Sequence, residues 1–257
     1  MLDQITPLIL TYNEAPNIAR TLDSLRWANE VVVVDSFSTD NTAQIAASFP
    51  NVRVIQRNFD CHRNQWEFGL KDTGIDTLWV LALDADYIIN ADFVSELRNL
   101  EPAAETVGYR ARFIYCISGK RLRSGIYPAV TVLYRAAAAD YIQDGHTQRV
   151  SLNGGRIEDL RSPLLHDDRK PLRRWFESQK RYTKLEAQKL RAANPAELSS
   201  LDRIRRWPLV VPPLALFYCL VVRAGIFDGW AGFYYAFQRT VAELMLSLYL
   251  IENRRSN

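Results

Sequence analysis

Four consecutive β-branched residues, Val31-Val32-Val33-Val34, run straight into an acid, Asp35. Branched side chains favour extended backbone, and an apolar run without polar alternation marks a strand covered on both faces. Such strands belong to parallel sheets with helices on each side, so this one segment already restricts the fold. The flanking segments agree. Ile5–Thr11 is a second apolar run, and Ile18, Leu22, Leu25 and Ala28 recur at helical spacing after the Tyr12–Pro16 break. Thr42–Phe49 predicts a helix, with Ser38-Thr39-Asp40-Asn41 supplying turn and N-cap chemistry before it. Val52–Ile55 predicts a third strand, Cys61–Lys71 a helix, Thr77–Leu83 a fourth strand and Ala91–Leu100 a helix. This βαβα order predicts an α/β fold: a Rossmann-like, mostly parallel sheet flanked by helices.

The middle third is less regular. Val107–Ser118 and Ala129–Arg135 read as strands that extend the sheet, with room for one antiparallel member. Pro171–Ala193 predicts a charged helix. From Arg161 to Arg206 there are 13 Lys/Arg against 6 Asp/Glu, a local net of +7 in a chain whose total is only +3. So small a total argues against a nucleic-acid partner. Trp207–Val222 is apolar but carries Pro208, Pro212 and Pro213, and is shorter than the ~20 residues of a spanning helix. Ala224–Ile251 is apolar and aromatic, interrupted by Asp228, Arg239 and Glu243. A basic helix followed by an amphipathic helical tail suits an anionic membrane surface. The competing reading is a set of ordinary core helices. Three scattered cysteines imply neither a disulfide framework nor a metal cage, and Met1–Leu10 reads as a strand rather than a leader. The expected setting is the cytoplasmic face of a membrane. The expected domains are 1–170, with halves near 1–100 and 101–170, and a helical region 171–257.

Ligands of doubly wound sheets sit beyond the carboxyl ends of the strands. Two of the predicted strands end there in acids, at Asp35 and at Asp84. The second end is Leu83-Asp84-Ala85-Asp86. Alternate side chains of an extended segment share a face, so Asp84 and Asp86 can reach one point. Like charges that close are costly unless a cation lies between them, and Mg2+ or Mn2+ with oxygen ligands meets that need.

Together these segments resemble a known family. Thr11-Tyr12-Asn13-Glu14, then Val34-Asp35 through Thr42, then Leu83-Asp84-Ala85-Asp86 resemble family 2 glycosyltransferases of GT-A fold. Arg63-Asn64 falls where members carry an Arg-Asn pair. Gly125-Ile126-Tyr127-Pro128, Leu133-Tyr134-Arg135, Gly145-His146, His166 and Gly225–Trp230 resemble a subgroup that includes lipopolysaccharide core glucosyltransferases. The resemblance implies a nucleotide-sugar donor, a UDP-sugar by preference, and a glycan or glycolipid acceptor. Thr11, Tyr12 and Glu14 would then line base and ribose. Asp35 would bind the base, and Arg63 the base or the diphosphate. Asp84 would touch ribose and metal, Asp86 the metal, and His166 the metal or the diphosphate. Inversion in a single displacement is the implied outcome.

Two positions depart from the pattern. Tyr87 stands where many relatives have Glu, and Thr147 follows Gly145-His146 where many have a Glu that serves as base. A threonine hydroxyl is no base at neutral pH, which leaves Asp144 or His146 for that role. Two other classes compete with a transferase. A sugar nucleotidyltransferase needs a Gly-rich basic loop to hold triphosphate, and Thr11–Pro16 has neither Gly nor Lys. A non-catalytic membrane scaffold on a degenerate enzyme fold draws on Tyr87 and Thr147, against the intact Asp35, Asp84 and Asp86.

Overall fold

The computed structural model describes residues 1–144, 147–194 and 198–255. The chain forms two compact units. The first comprises Met1–Gly119 and Tyr127–Arg169, the second Lys120–Ile126 and Lys170–Asn257.

In the first unit, β1 (Ile5–Thr11), β2 (Val31–Asp35), β3 (Val52–Gln56) and β4 (Trp79–Asp84) lie parallel. The helices α1 (Ile18–Asp23), α2 (Thr42–Ala47), α3 (His62–Lys71) and α4 (Ala91–Arg98) alternate with or follow them. β5 (Tyr87–Ile88) comes after β4, and β6 (Thr106–Ala111) and β7 (Phe113–Ile117) follow α4. β8 (Lys120–Arg121) belongs to the second unit, and the first unit goes on with β9 (Val130–Arg135), β10 (Ala139–Asp144), β11 (Thr147–Leu152), β12 (Arg156–Asp159) and β13 (Leu164–His166). The main sheet has seven strands in the order β12-β6-β9-β4-β1-β2-β3. Only β9 runs against the rest, antiparallel to β4 and β6. The predicted mostly parallel α/β fold is thus present.

Strand alternation divides the core into two layers. Ile5, Ile9, Val31, Val33, Trp79 and Leu81 face Ile18, Leu22, Ala46, Phe93 and Leu97 on one side. Leu8, Val32, Val34, Val80 and Tyr134 face Trp66 and Leu70 of α3 on the other. Each such large side chain contributes about 1.5–3 kcal/mol relative to exposure. α3 approaches β1 closely at Gly69, where an added Cβ would lie 2.9 Å from Leu8.

Several features of the first unit differ from expectation. The predicted strand Val107–Ser118 is two strands. β6 stays in the main sheet, whereas β7 pairs in parallel with β13, which also pairs antiparallel with β5. Exposed Arg112 marks the break between them. α1 stops at Asp23, because Ser24 Oγ returns to the Thr21 carbonyl and Asn51 Nδ2 serves the Leu25 and Ala28 carbonyls. Leu25 and Ala28 remain buried, so the apolar face extends beyond the helix itself. β10 and β11 form a hairpin that the sequence reading did not anticipate.

The second unit holds α5 (Leu172–Ala192), α6 (Ser200–Arg205), α7 (Val211–Phe217) and α8 (Trp230–Arg255). The expected helix over Ala224–Ile251 begins only at Trp230. Before it, Gly225–Asp228 is a 3-10 turn bracketed by Ala224 (φ 57°) and Gly229 (φ 62°). The charged interruptions of this tail point inward. Asp228 is buried and accepts from the Arg123 and Ser124 amides at 2.9 and 3.1 Å. Glu243 is buried against Arg205 at 2.8 Å, with Arg239 at 3.6 Å. The outward face of α8 is apolar instead, with Trp230, Phe233, Tyr234, Phe237, Leu244 and Leu248 exposed. Among the described residues, no helix is long and apolar enough to cross a membrane.

Candidate active site

Parallel pairing brings three strand ends to one rim. Thr11 stands opposite Asp35, and Leu10 opposite Asp84. Thr11 Oγ1 donates to Asp35 Oδ1 at 2.9 Å, so this hydroxyl orients the acid instead of facing outward. Asp35 is fully buried. Its carboxylate also accepts from Ser38 N (2.8 Å), Ser38 Oγ (2.5 Å) and Gln56 Nε2 (3.4 Å). The loops after β1 and β2 interlock. Asn13 Oδ1 accepts from Thr39 N at 2.7 Å, and Ser38 Oγ accepts from Asn13 N at 2.8 Å. Asn13 (φ 56°) and Phe37 (φ 55°) both adopt the left-handed region, which costs about 1 kcal/mol or more for a non-glycine residue. The interlock leaves Tyr12 and Phe37 about half exposed. Glu14 takes a hydrogen bond from Asn17 Nδ2 at 2.9 Å. Arg63 lies on α3 with its guanidinium 3.4 Å from Glu67, one turn on.

Buried Gln65 on the same helix reaches Ser36 Oγ at 3.1 Å and accepts from Arg57 at 2.5 Å. It braces the turn after Asp35 from below. Nothing in its local pattern singled it out, because a glutamine on a helix is ordinarily a solvated residue.

Asp84 ends β4 and is exposed, while Asp86 is buried. Both act on the same neighbours. His166 Nε2 lies 3.2 Å from Asp86 Oδ2. Burial by itself would lower the His166 pKa, but the charge and hydrogen bond of Asp86, helped by Asp84, raise it above its ordinary value. Burial, then the charges of Asp84 and Asp86, push the Tyr87 phenol well above its usual value, and its hydroxyl hydrogen-bonds Asp84. The residue that departs from the family pattern thus holds one of the two acids. Tyr115, Tyr87 and Tyr127 surround the imidazole with centroids 4.8, 5.2 and 5.7 Å away. This box comes from β5, β7 and the stretch before β9, segments that no local sequence pattern links.

Among the described residues, no three His, Cys, Asp or Glu side chains form a ready metal cage. Two carboxylates with an adjacent imidazole fit a hard divalent ion that keeps waters and takes its other ligands from phosphate. Of the two candidate bases, Asp144 ends β10 with its backbone in register with Thr147. His146 lies outside the described residues, as does the Asp144 side chain.

Comparison with known proteins bears on this rim. Residues 8–128 match Glycosyl transferase family 2. An uncharacterized glycosyltransferase of Rickettsia bellii is 35% identical over 95 residues, 37% of this chain and 31% of the relative. One from Rickettsia felis is 34% identical over 97 residues, 37% of this chain and 33% of the relative. The matched stretch therefore spans about a third of the length of these relatives. Among solved structures, S. aureus TarS 1-349 in complex with UDP-GlcNAc is similar, with a TM-score of 0.56 at 16% identity. The likeness covers 98% of this chain and 92% of that one.

Proposed function

We propose that the protein, whose residues 8–128 match Glycosyl transferase family 2 and whose fold is similar to that of TarS, transfers a sugar from a UDP-sugar, with Mg2+ or Mn2+, to a hydroxyl of a glycan or glycolipid. The convergence of Asp84 and Asp86 on Tyr87 and His166, beside the Thr11–Asp35 pair, carries this reading. The uridine preference draws on the resemblance of Thr11–Glu14 and Asp35 to the family pattern, and on the similarly folded TarS, whose complex contains UDP-GlcNAc.

Asp84 and Asp86 would hold the cation, which when bound offsets the charge growing on the leaving diphosphate. Tyr87 keeps the Asp84 carboxylate oriented through its hydroxyl. His166 would serve as a further ligand or as a hydrogen-bond donor to the diphosphate, and its apolar aromatic surround would strengthen either contact. The Asp35 carboxylate, fixed by Thr11 and Ser38, reads the base. Gln56, at 3.4 Å its weakest partner, is the one most easily displaced. Asp144 or His146 removes the acceptor hydroxyl proton, and a single displacement inverts the anomeric centre.

The proposal extends to a glycolipid acceptor of the cell envelope, in lipopolysaccharide or related polysaccharide synthesis, met at the cytoplasmic face of a membrane; the surface of the second unit supports the membrane component alone. The exposed apolar stripe of α8 is accompanied by Leu209, Phe217, Val221, Val222, Ile226 and Phe227, all more than half exposed. An apolar surface of that extent is unusual for a protein standing free in water. Asp228 and Glu243 are turned inward, Arg223 lies exposed within the apolar stretch, and basic α5 shares the unit.

Calorimetric titration of UDP with and without Mn2+ tests the central reading. Mn2+ should tighten binding, and Asp86→Ala should remove that gain. Binding indifferent to the metal overturns the proposal. Co-sedimentation with vesicles containing anionic lipid tests the membrane component. Phe227→Asp should release the folded protein, and equal recovery with and without vesicles refutes it.

A further inference from the structure

Asn17, just before α1, is fully buried and uses all four of its amide hydrogen-bonding positions. Nδ2 donates to Glu14 Oε2 and to Asp168 Oδ1, both at 2.9 Å. Oδ1 accepts from Arg20 Nη2 and from Arg169 N, both at 2.8 Å. Arg20 also donates to the Asp167 side chain and to the Asp167 carbonyl, each at 2.8 Å. Asp167 takes a further bond from Gly119 N at 3.0 Å. The stretch 167–169 is thus clamped onto α1 by one amide and one guanidinium, across 151 positions of sequence.

This clamp adjoins His166. Asp167 N donates to Asp86 O at 3.1 Å, and His166 is paired with Tyr87 in the β13–β5 ladder. Two carboxylates, Glu14 and Asp168, meet at the single Asn17 NH2 group. Like charges that close repel, and a neutral donor between them removes the penalty. An acid in the same place would add to the repulsion and drive stretch 167–169 off α1.

Resting on the UDP-sugar and divalent-cation reading above, we infer that Asn17 is a positioning residue: it ties the Glu14 loop to the strand that sets His166 against Asp86. It touches neither donor nor cation itself. Its substitution acts through His166, and therefore chiefly on the part of nucleotide binding that depends on metal.

Asn17→Asp keeps the size of the side chain and an acceptor oxygen for Arg20, but replaces the donor shared by Glu14 and Asp168 with an acceptor. UDP affinity is measured by calorimetry with and without Mn2+, alongside thermal melting. The Mn2+-dependent gain should fall about 10- to 100-fold, the loss typical when a residue supporting a metal ligand is changed. Metal-free UDP binding should change less. Adding Asp168→Asn to this variant supplies an amide donor to the new carboxylate from the other side and should recover most of the gain. If wild type shows no Mn2+ gain, the donor-and-cation reading falls and this inference with it. If wild type shows the gain and Asn17→Asp retains it, only the inference falls. A loss that the double variant does not recover also overturns it, since that marks simple packing. Should Asn17→Asp fail to fold, Asp168→Ala alone cuts the clamp from the other side and must reduce the gain, or the inference is wrong.

Discussion

Replacing Asp228 tests how the Gly225–Gly229 turn is held. Its carboxylate is buried, and both amide donations, from Arg123 N at 2.9 Å and Ser124 N at 3.1 Å, land on one oxygen, Oδ2. The same turn keeps Ala224 in the left-handed region, at about 1 kcal/mol or more. Hydrogen bonds to a charged acceptor contribute about 1.5–3 kcal/mol each. Ser124 is fully buried, so its amide has no water to turn to, whereas exposed Arg123 can recruit one. Asp228→Ala should therefore cost about 3–4 kcal/mol locally. Asp228→Asn can present one neutral oxygen to both amides and should cost about 1–2 kcal/mol. Hydrogen exchange resolved at Ser124 is the suitable assay, because a local opening need not appear in a global melt. With a tenfold change per ~1.4 kcal/mol, protection should fall about a hundredfold or more for Ala and about tenfold for Asn. Equal exchange in Ala, Asn and wild type would refute the reasoning. An Asn variant as damaged as the Ala variant would show that charge, not the shared oxygen, holds the loop.

Three further outcomes are expected. Thr11→Val keeps the shape of β1 but removes a donor from buried Asp35, so denaturant unfolding should show a loss of about 1–3 kcal/mol and calorimetry a weaker UDP affinity. Tyr134 and Tyr141 share a 2.5 Å hydroxyl–hydroxyl bond in the core beneath the β10–β11 hairpin, and Tyr141→Phe should cost about 1–3 kcal/mol in denaturant unfolding by leaving a buried hydroxyl unmet. Burial would push the Asp167 carboxyl up, but hydrogen bonds from Arg169 and Gly119, with the charge of Arg20, hold it below its ordinary value. A depressed acid contributes stability above the unfolded value near ~3.9 and loses it as pH falls through the folded value. Asp167→Asn should accordingly lower stability at neutral pH and flatten the acid limb below about pH 4, as read by urea unfolding across pH.

Much of the first unit was legible because its signals are local. An apolar run such as Val31–Val34 encodes its own burial, and the acids at its end and at the end of β4 fall on the rim that parallel strands must share. The pair Asp84 and Asp86 could be read as convergent from the two-residue period of extended backbone. Helix lengths were less legible: α1 stops at Asp23 because Asn51, from another loop, serves the Leu25 and Ala28 carbonyls. The division of Val107–Ser118 between two sheets was hidden for a similar reason, since either strand partner would satisfy the same residues.

The sequence by itself determined the parallel strands β1 to β4 with their helices and the acidic rim, all consequences of hydrophobic period and chain direction. Tertiary structure alone decided which polar groups meet: Asn17 with Asp168, Gln65 with Ser36, Tyr87 with Asp84, and the inward turn of Asp228 and Glu243 that leaves an apolar face outside. Hydrophobic burial is non-directional and can be read from a short window of residues. A hydrogen bond needs its partner within about 3 Å and at the right angle, and that is settled only when distant segments are brought together.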